Sequence, residues 1–217
     1  MGSSTIKRMW AIVAVLVVFL ILVFAEYLSR YKGVHSELTR KLVHILVGVF
    51  VAFWPFFLSW RQIQMISLAF LVVVLLSIWL NIFRSIHAVE RNVAGELFFA
   101  MVIGILAFIS TSEWIFMAAM LHLSLADGLA AVVGMLWGDR SQYKVFGRVK
   151  SVAGSLAFFF TSIGIVIAYM VFSGAPYSVT TLLWLPVAAT LAENVAVSGS
   201  DNLVIPLLVA LVLTSAA

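Results

Sequence analysis

Asp127 stands inside the stretch 114–137, which is otherwise apolar and long enough to cross a bilayer. An ionised carboxylate there costs roughly 2.5–3.5 kcal/mol, so such acids usually mark a pathway or a site. On the same helical face follow Ala131, Gly134 and Gly138, at i+4, i+7 and i+11. Residues this small let a ligand or another chain approach closely. The next polar segment carries Arg140, Lys144, Arg148 and Lys150. An intramembrane acid beside a basic loop suits a metal ion and phosphates at a membrane surface.

Three more clusters have usable chemistry. Glu37, Arg40, Lys41 and His44 fall at i, i+3 and i, i+4 spacings on one helix. Arg40 and Lys41 would contact phosphate there, and His44 would be a hydrogen-bonding or proton-relay group. An interfacial cluster of snorkelling side chains accounts for the same spacing equally well. In the segment 147–155, Ser151 is a natural N-cap, Lys150 adjoins the free N–H groups of the next helix, Gly154 removes bulk and Ser155 adds a hydroxyl. A helix start with a lysine is a ready anion site. The G-x-x-x-x-G-K-[ST] spacing is absent and no strand is expected before it, which excludes a P-loop NTPase. Glu193 interrupts an apolar helix with no basic residue in the loop after it, so it needs a partner from another helix or a metal. Asp201 alone needs no more explanation than a helix cap. Taken together, Asp127, Glu193 and Asp201 offer oxygen ligands suited to Mg²⁺. Glu96, in a first helical turn, reads as a partner of the helix dipole.

The elements that must position these residues follow from composition. The 217 residues are 64% hydrophobic and 10% charged, with a mean hydropathy of +1.17. That excludes a soluble globular domain and implies an all-α, polytopic transmembrane helix bundle. Apolar runs place helices near 9–28, 41–58, 62–83, 93–110, 114–137, 152–172, 179–197 and 203–216. A seven-span reading merges or drops one run, and the last run is short for a full span. Residues 1–217 then make one integral membrane domain. Lys7 and Arg8 precede a run too long for a cleaved leader, so it reads as a retained helix. With no cysteine, disulfides, thiolate metal sites and a cysteine nucleophile are excluded.

Charge is sided. The loops after spans one, three, five and seven hold ten of the thirteen Lys and Arg, leaving Lys7, Arg8 and Arg61 opposite. The positive-inside rule puts those four loops in the cytoplasm and both termini outside. Six of the nine acids, namely Glu37, Glu90, Glu96, Asp139, Glu193 and Asp201, gather at that face as well. Orientation does not require this, so the site is expected to face the cytoplasm.

Four stretches, in order, resemble the membrane-embedded CTP-dependent lipid alcohol kinases, the phytol kinase and dolichol kinase family. They are Glu37-Leu-Thr-Arg-Lys-Leu-Val-His44, Asp127-Gly-Leu-Ala-Ala-Val-Val-Gly134, Lys150-Ser-Val-Ala-Gly-Ser155, and Glu193 with Asp201-Asn202-Leu-Val-Ile-Pro206. The phytol kinase branch is the nearer, through D-G-x-A and K-S-x-A-G-S. The resemblance implies transfer of the terminal phosphate of CTP to an isoprenoid alcohol with Mg²⁺, in a prokaryotic plasma membrane. It implies catalytic parts for Asp127, Lys150 and His44, and metal ligation by Asp127, Glu193 and Asp201. Nucleotide contacts would come from Arg40, Lys41, Gly134, Gly138, Lys144, Ser151, Gly154, Ser155 and Asn202. The implied partners are a lipid alcohol, a nucleotide and the membrane, with no nucleic acid. Branch members often carry a second acid at the position of Ala131. Either Asp139 or Asp201 completes the metal site here, or the metal count differs. Two other readings stay open: a membrane cytidylyltransferase that makes a CDP-lipid, and a proton- or cation-coupled transporter using Asp127 and Glu193.

Overall fold

The computed structural model describes residues 2–32, 36–80, 93–176 and 178–216. Arg84, Glu90 and Arg91 lie outside the described residues, as do the side chains of Arg30, Lys32 and Glu37. Eight helices run through the described residues. They are α1 (Gly2–Lys32), α2 (Ser36–Ala52), α3 (Trp60–Trp79), α4 (Val93–Ile109), α5 (Glu113–Trp137), α6 (Val152–Ser173), α7 (Val179–Val195) and α8 (Asp201–Ala216). All eight expected runs are helical, with shifted ends. Helix α2 starts before Arg40 and Lys41 and stops ahead of the 3₁₀ turn Trp54–Phe56, where Pro55 cannot continue it. The spans are uneven. Four segments, Lys7–Leu28, Leu38–Phe56, Glu113–Trp137 and Val152–Ser173, are long and apolar enough to cross a bilayer, and the other apolar helices are shorter. Side-chain caps fix some of these limits: Ser112 accepts from the Ile115 N–H at 3.2 Å, and Ser178 from the Thr181 N–H at 3.2 Å.

Helix α5 is the axis of the bundle. Its most apolar window is 72% buried, against 11% for α1, which therefore lies at the periphery facing lipid. Phe116, Ala118, Ala119, Met120 and Leu123 are fully enclosed. Midway, at His122–Ala126, α5 widens into a π turn immediately before Asp127. Such a turn inserts one residue into the helical count, rotating everything beyond it and loosening local backbone bonding. Side chains support the turn from within. His122 bonds the Ala118 carbonyl and the Ser162 hydroxyl, each at 2.8 Å, and Ser124 donates to the Met120 carbonyl at 2.7 Å.

No strand is expected before Ser151 from the sequence, and the structure corrects this. Residues 142–151 form an antiparallel hairpin of β1 (Gln142–Val145) and β2 (Arg148–Ser151), with Tyr143 opposite Lys150 and Val145 opposite Arg148. Its Q-Y-K-V and R-V-K-S halves alternate in polarity with the period of a strand, a signal too short to stand out beside 20-residue apolar runs. A strand therefore does precede Ser151. The P-loop remains excluded by its missing glycine-lysine spacing.

Candidate active site

The hairpin lies at the bundle end where α2, α4, α6 and α8 begin and α5 and α7 finish. There it borders a cavity of about 770 Å³. Helix α2 contributes Arg40, Lys41 and His44, and α5 contributes Asp127, Ala131 and Gly134. Hairpin and α6 supply Arg148, Lys150, Ser151, Gly154 and Ser155. Glu193 of α7 and Asp201 and Asn202 of α8 complete the wall. Residues up to 162 positions apart in the chain, from Arg40 to Asn202, thus meet at one end of the bundle. Lys144 and Gly138 do not line the cavity. Lys144 falls on the exposed hairpin face opposite Lys150, a consequence of strand alternation. Gly138 is buried, and a Cβ there would run into the Gly134 carbonyl and lie 2.8 Å from Ser151.

Asp127 is 4% exposed and Lys41 9%, and they form an ion pair at 2.8 Å. Two ions so deeply placed hold each other there, because removing either would strand a buried charge. His44 Nε2 lies 2.8 Å from the Leu123 carbonyl and 3.6 Å from Asp127 Oδ2. A carbonyl only accepts, so Nε2 carries its proton toward Leu123. The π turn is thus tied to α2 one helical turn below Lys41, and His44 Nε2 has no lone pair left to accept a proton.

Glu193, which the sequence left in need of a partner, has Lys150. The ammonium bonds the Glu193 carboxylate and also its backbone carbonyl, the latter at 3.0 Å. One residue further, Asn194 accepts from the Tyr143 hydroxyl and, at 3.1 Å, from the Ser155 hydroxyl. The Asn194 amide nitrogen donates to the Thr190 carbonyl at 2.9 Å, which fixes the direction of its oxygen. Tyr143 and Lys150, cross-strand neighbours on one hairpin face, therefore grip adjacent residues at the end of α7. Tyr143 and Asn194 were missed in the sequence, where their only signal was adjacency to Lys150 in register and to Glu193 in chain order. Ser155 lines the cavity with its proton already committed to this network. Ser151 accepts from the Gly154 N–H at 3.1 Å, as its N-cap reading required, and retains its own proton for a ligand.

The stripe of small residues serves close packing. A Cβ on Gly154 would lie 2.8 Å from the Ala130 carbonyl, and one on Gly134 would lie 3.2 Å from Ser151 Oγ. The start of α6 is thereby pressed onto α5, bringing Lys150 and Ser151 over Asp127. On the other side, Asn202 donates to the Gly95 carbonyl at 2.8 Å. Gly199, at φ 82°, lets its backbone touch Gly95, where a side chain would be both strained and blocked.

Asp201 is the first residue of α8, and its carboxylate accepts from the Asn202 N–H at 3.1 Å. It makes no ion pair among the described residues. Within those residues, no three His, Asp or Glu side chains converge to enclose a cation. Asp127, Glu193 and Asp201 share the cavity, but lysines occupy the first two. Mg²⁺ commonly takes one or two carboxylates and completes its shell with water and substrate phosphates. The donor set fits a site of that kind, finished by phosphate oxygens, better than a closed protein cage.

No protein-family model matches the chain, and no solved structure matches it. Curated proteins do. Phytol kinase of Synechocystis sp. is 34% identical over 213 residues, covering 92% of this chain and 88% of that protein. A rice protein named probable phytol kinase 2, chloroplastic, is 29% identical over 210 residues, 85% of this chain and 67% of its own length. A wheat protein named probable phytol kinase, chloroplastic, is 27% identical over 211 residues, 86% and 70% of the two chains. An apolar bundle with paired acids and lysines at one end, similar to a phytol kinase along nearly the whole of both chains, belongs to the phytol kinase family of lipid alcohol kinases.

Proposed function

We propose that this protein transfers the terminal phosphate of CTP, with Mg²⁺, to the hydroxyl of an isoprenoid alcohol at the cytoplasmic face of a prokaryotic plasma membrane. The observation that carries this reading is the gradient within the cavity. Asp127 sits about ten residues, ~15 Å of helix, inside the Trp137 end of α5, whereas Glu193 and Asp201 sit within a turn of their helix ends. An alcohol whose tail stays in the bilayer reaches Asp127 from the apolar side. A soluble, multiply charged nucleotide enters from the hairpin side and meets Lys150, Arg148 and Arg40.

Phosphoryl transfer depends on positioning and on neutralising phosphate oxygens rather than on covalent chemistry. Lys150, Arg148, Arg40 and Lys41 supply the positive charge, and the Ser151 hydroxyl and the first turn of α6 supply donors. Asp127 orients the alcohol and accepts its proton. His44 keeps the π turn, and so Asp127, in place. Asp201, with Glu193 or Asp127 once a lysine moves to phosphate, would hold Mg²⁺, which when bound screens the charge between the phosphates. The cytoplasmic orientation rests on the basic loops.

The test is a reconstituted assay of phytol, geranylgeraniol and longer polyprenols with CTP or ATP. Lipid phosphate should form with CTP and Mg²⁺ and vanish on chelation. Undiminished phosphorylation without divalent metal would refute the metal assignment, and a strong preference for ATP would refute the nucleotide.

A further inference from the structure

We infer that the tip of the β1–β2 hairpin is a membrane-surface anchor, inserting Phe146 into the lipid headgroup and acyl boundary. The two-residue turn Phe146-Gly147 has φ 46° and φ 76°. Positive φ at both central positions is the pattern of the tight hairpin turn that favours Asn-Gly or Asp-Gly, and a bulky aromatic is unfavourable there. Among the described residues nothing packs over the ring to compensate: Phe146 is 75% exposed. An observed backbone outlier that its own fold does not repay points to a contact outside the fold.

The occupant follows from where the hairpin lies. Gln142 and the return strand from Gly147 to Ser151 border the cavity, and Tyr143 and Lys150 bind the end of α7. The hairpin therefore lies flat across the bundle end, and its tip stays at the level where the helices leave the bilayer. Its base continues into the lipid belt of the helices it joins, through exposed Trp137 of α5 and exposed Val152 of α6. At the cavity rim Val149 is exposed, with Lys144 directly across from it on the other strand, an apolar side chain next to a cation. That combination suits the boundary between acyl chains and anionic headgroups. The alcohol hydroxyl resides at the same depth, so an anchored hairpin keeps the cavity's roof where substrate arrives.

Because the chain has no cysteine, a single spin label can be placed at will. Phe146→Cys and Arg140→Cys, each labelled and reconstituted in vesicles containing phosphatidylglycerol, would be compared for collisions with oxygen and with a neutral nickel chelate. Oxygen should dominate at position 146 and nickel at 140. A label on Val149→Cys should shift toward nickel by several-fold when Phe146→Asn is added, although Asn relieves the turn. Nickel-dominated relaxation at 146 would overturn the proposal. So would protection from both reagents with spin–spin broadening, which would mean a second copy of the chain covers the tip. The readout is independent of activity, so it stands or falls apart from the kinase reading.

Discussion

Asp127 and Lys41 illustrate how one pair of side chains can be required for folding and for chemistry at once. With the two buried together at 2.8 Å, replacing Asp127 alone by Asn leaves an ammonium without its counter-ion. That should destabilise the protein by about 3–5 kcal/mol. The informative variant is therefore the double change Lys41→Gln with Asp127→Asn, which removes both charges. It should recover most of the thermal stability in detergent while turnover stays at least 10²-fold down, a loss typical of removing a preorganised charged group. Recovery of turnover together with stability would reduce Asp127 to a structural part. Lys150 calls for a different comparison. Lys150→Ala removes both contacts to the end of α7 and should abolish activity. Lys150 is more exposed than Lys41 and also holds the Glu193 backbone carbonyl, so Glu193→Gln should cost less stability than Asp127→Asn, with its defect seen as a raised Mg²⁺ requirement. An unchanged Mg²⁺ dependence would remove Glu193 from the metal site.

At the scale of elements, the hairpin decides which basic residues matter. Arg148 shares the inner face with Tyr143 and Lys150, and Lys144 points outward. Arg148→Ala should raise the KM for nucleotide several-fold, and Lys144→Ala should leave it within about twofold; equal effects would mean that surface charge alone attracts the nucleotide. Gly154→Ala should be more damaging than its size suggests. The added methyl meets a backbone carbonyl at 2.8 Å, and such overpacking typically costs about 1–3 kcal/mol while displacing Ser151. The long apolar runs made all eight helices legible in the sequence, and the acids and lysines of the site stood out because charge is rare in them. Less was visible of what arranges those residues. The π turn leaves no mark that distinguishes His122–Ala126 from ordinary helix, yet it directs Asp127 and exposes the Leu123 carbonyl to His44. That Lys144 lies off the cavity wall was not legible, because a four-residue strand carries too little periodicity to reveal which side chains face inward. Tyr143 and Asn194 were invisible because their partners are remote in the chain, and neither residue type announces a site.

For the whole molecule, the arrangement separates a lipid-facing bundle from an end that gathers the cavity's acids and bases. Gly95 and Gly199 bring α4 and α8 together there, and Gly154 and Ala130 bring α6 and α5 together. Acids and bases of that end are largely paired with one another across helices, which keeps ions in an apolar bundle until a charged ligand can exchange with them. The central claim is that a nucleotide and a lipid alcohol meet in this cavity and that only the terminal phosphate crosses between them. It is tested most directly by supplying reconstituted protein with geranylgeraniol and Mg²⁺, using CTP labelled either at its terminal or at its α phosphate. The account predicts label in the lipid from the terminal position alone, with CDP as the soluble product and no transfer by the Lys150→Ala variant. Label in the lipid from the α position, accompanied by pyrophosphate, would contradict it and identify a CDP-lipid synthase instead.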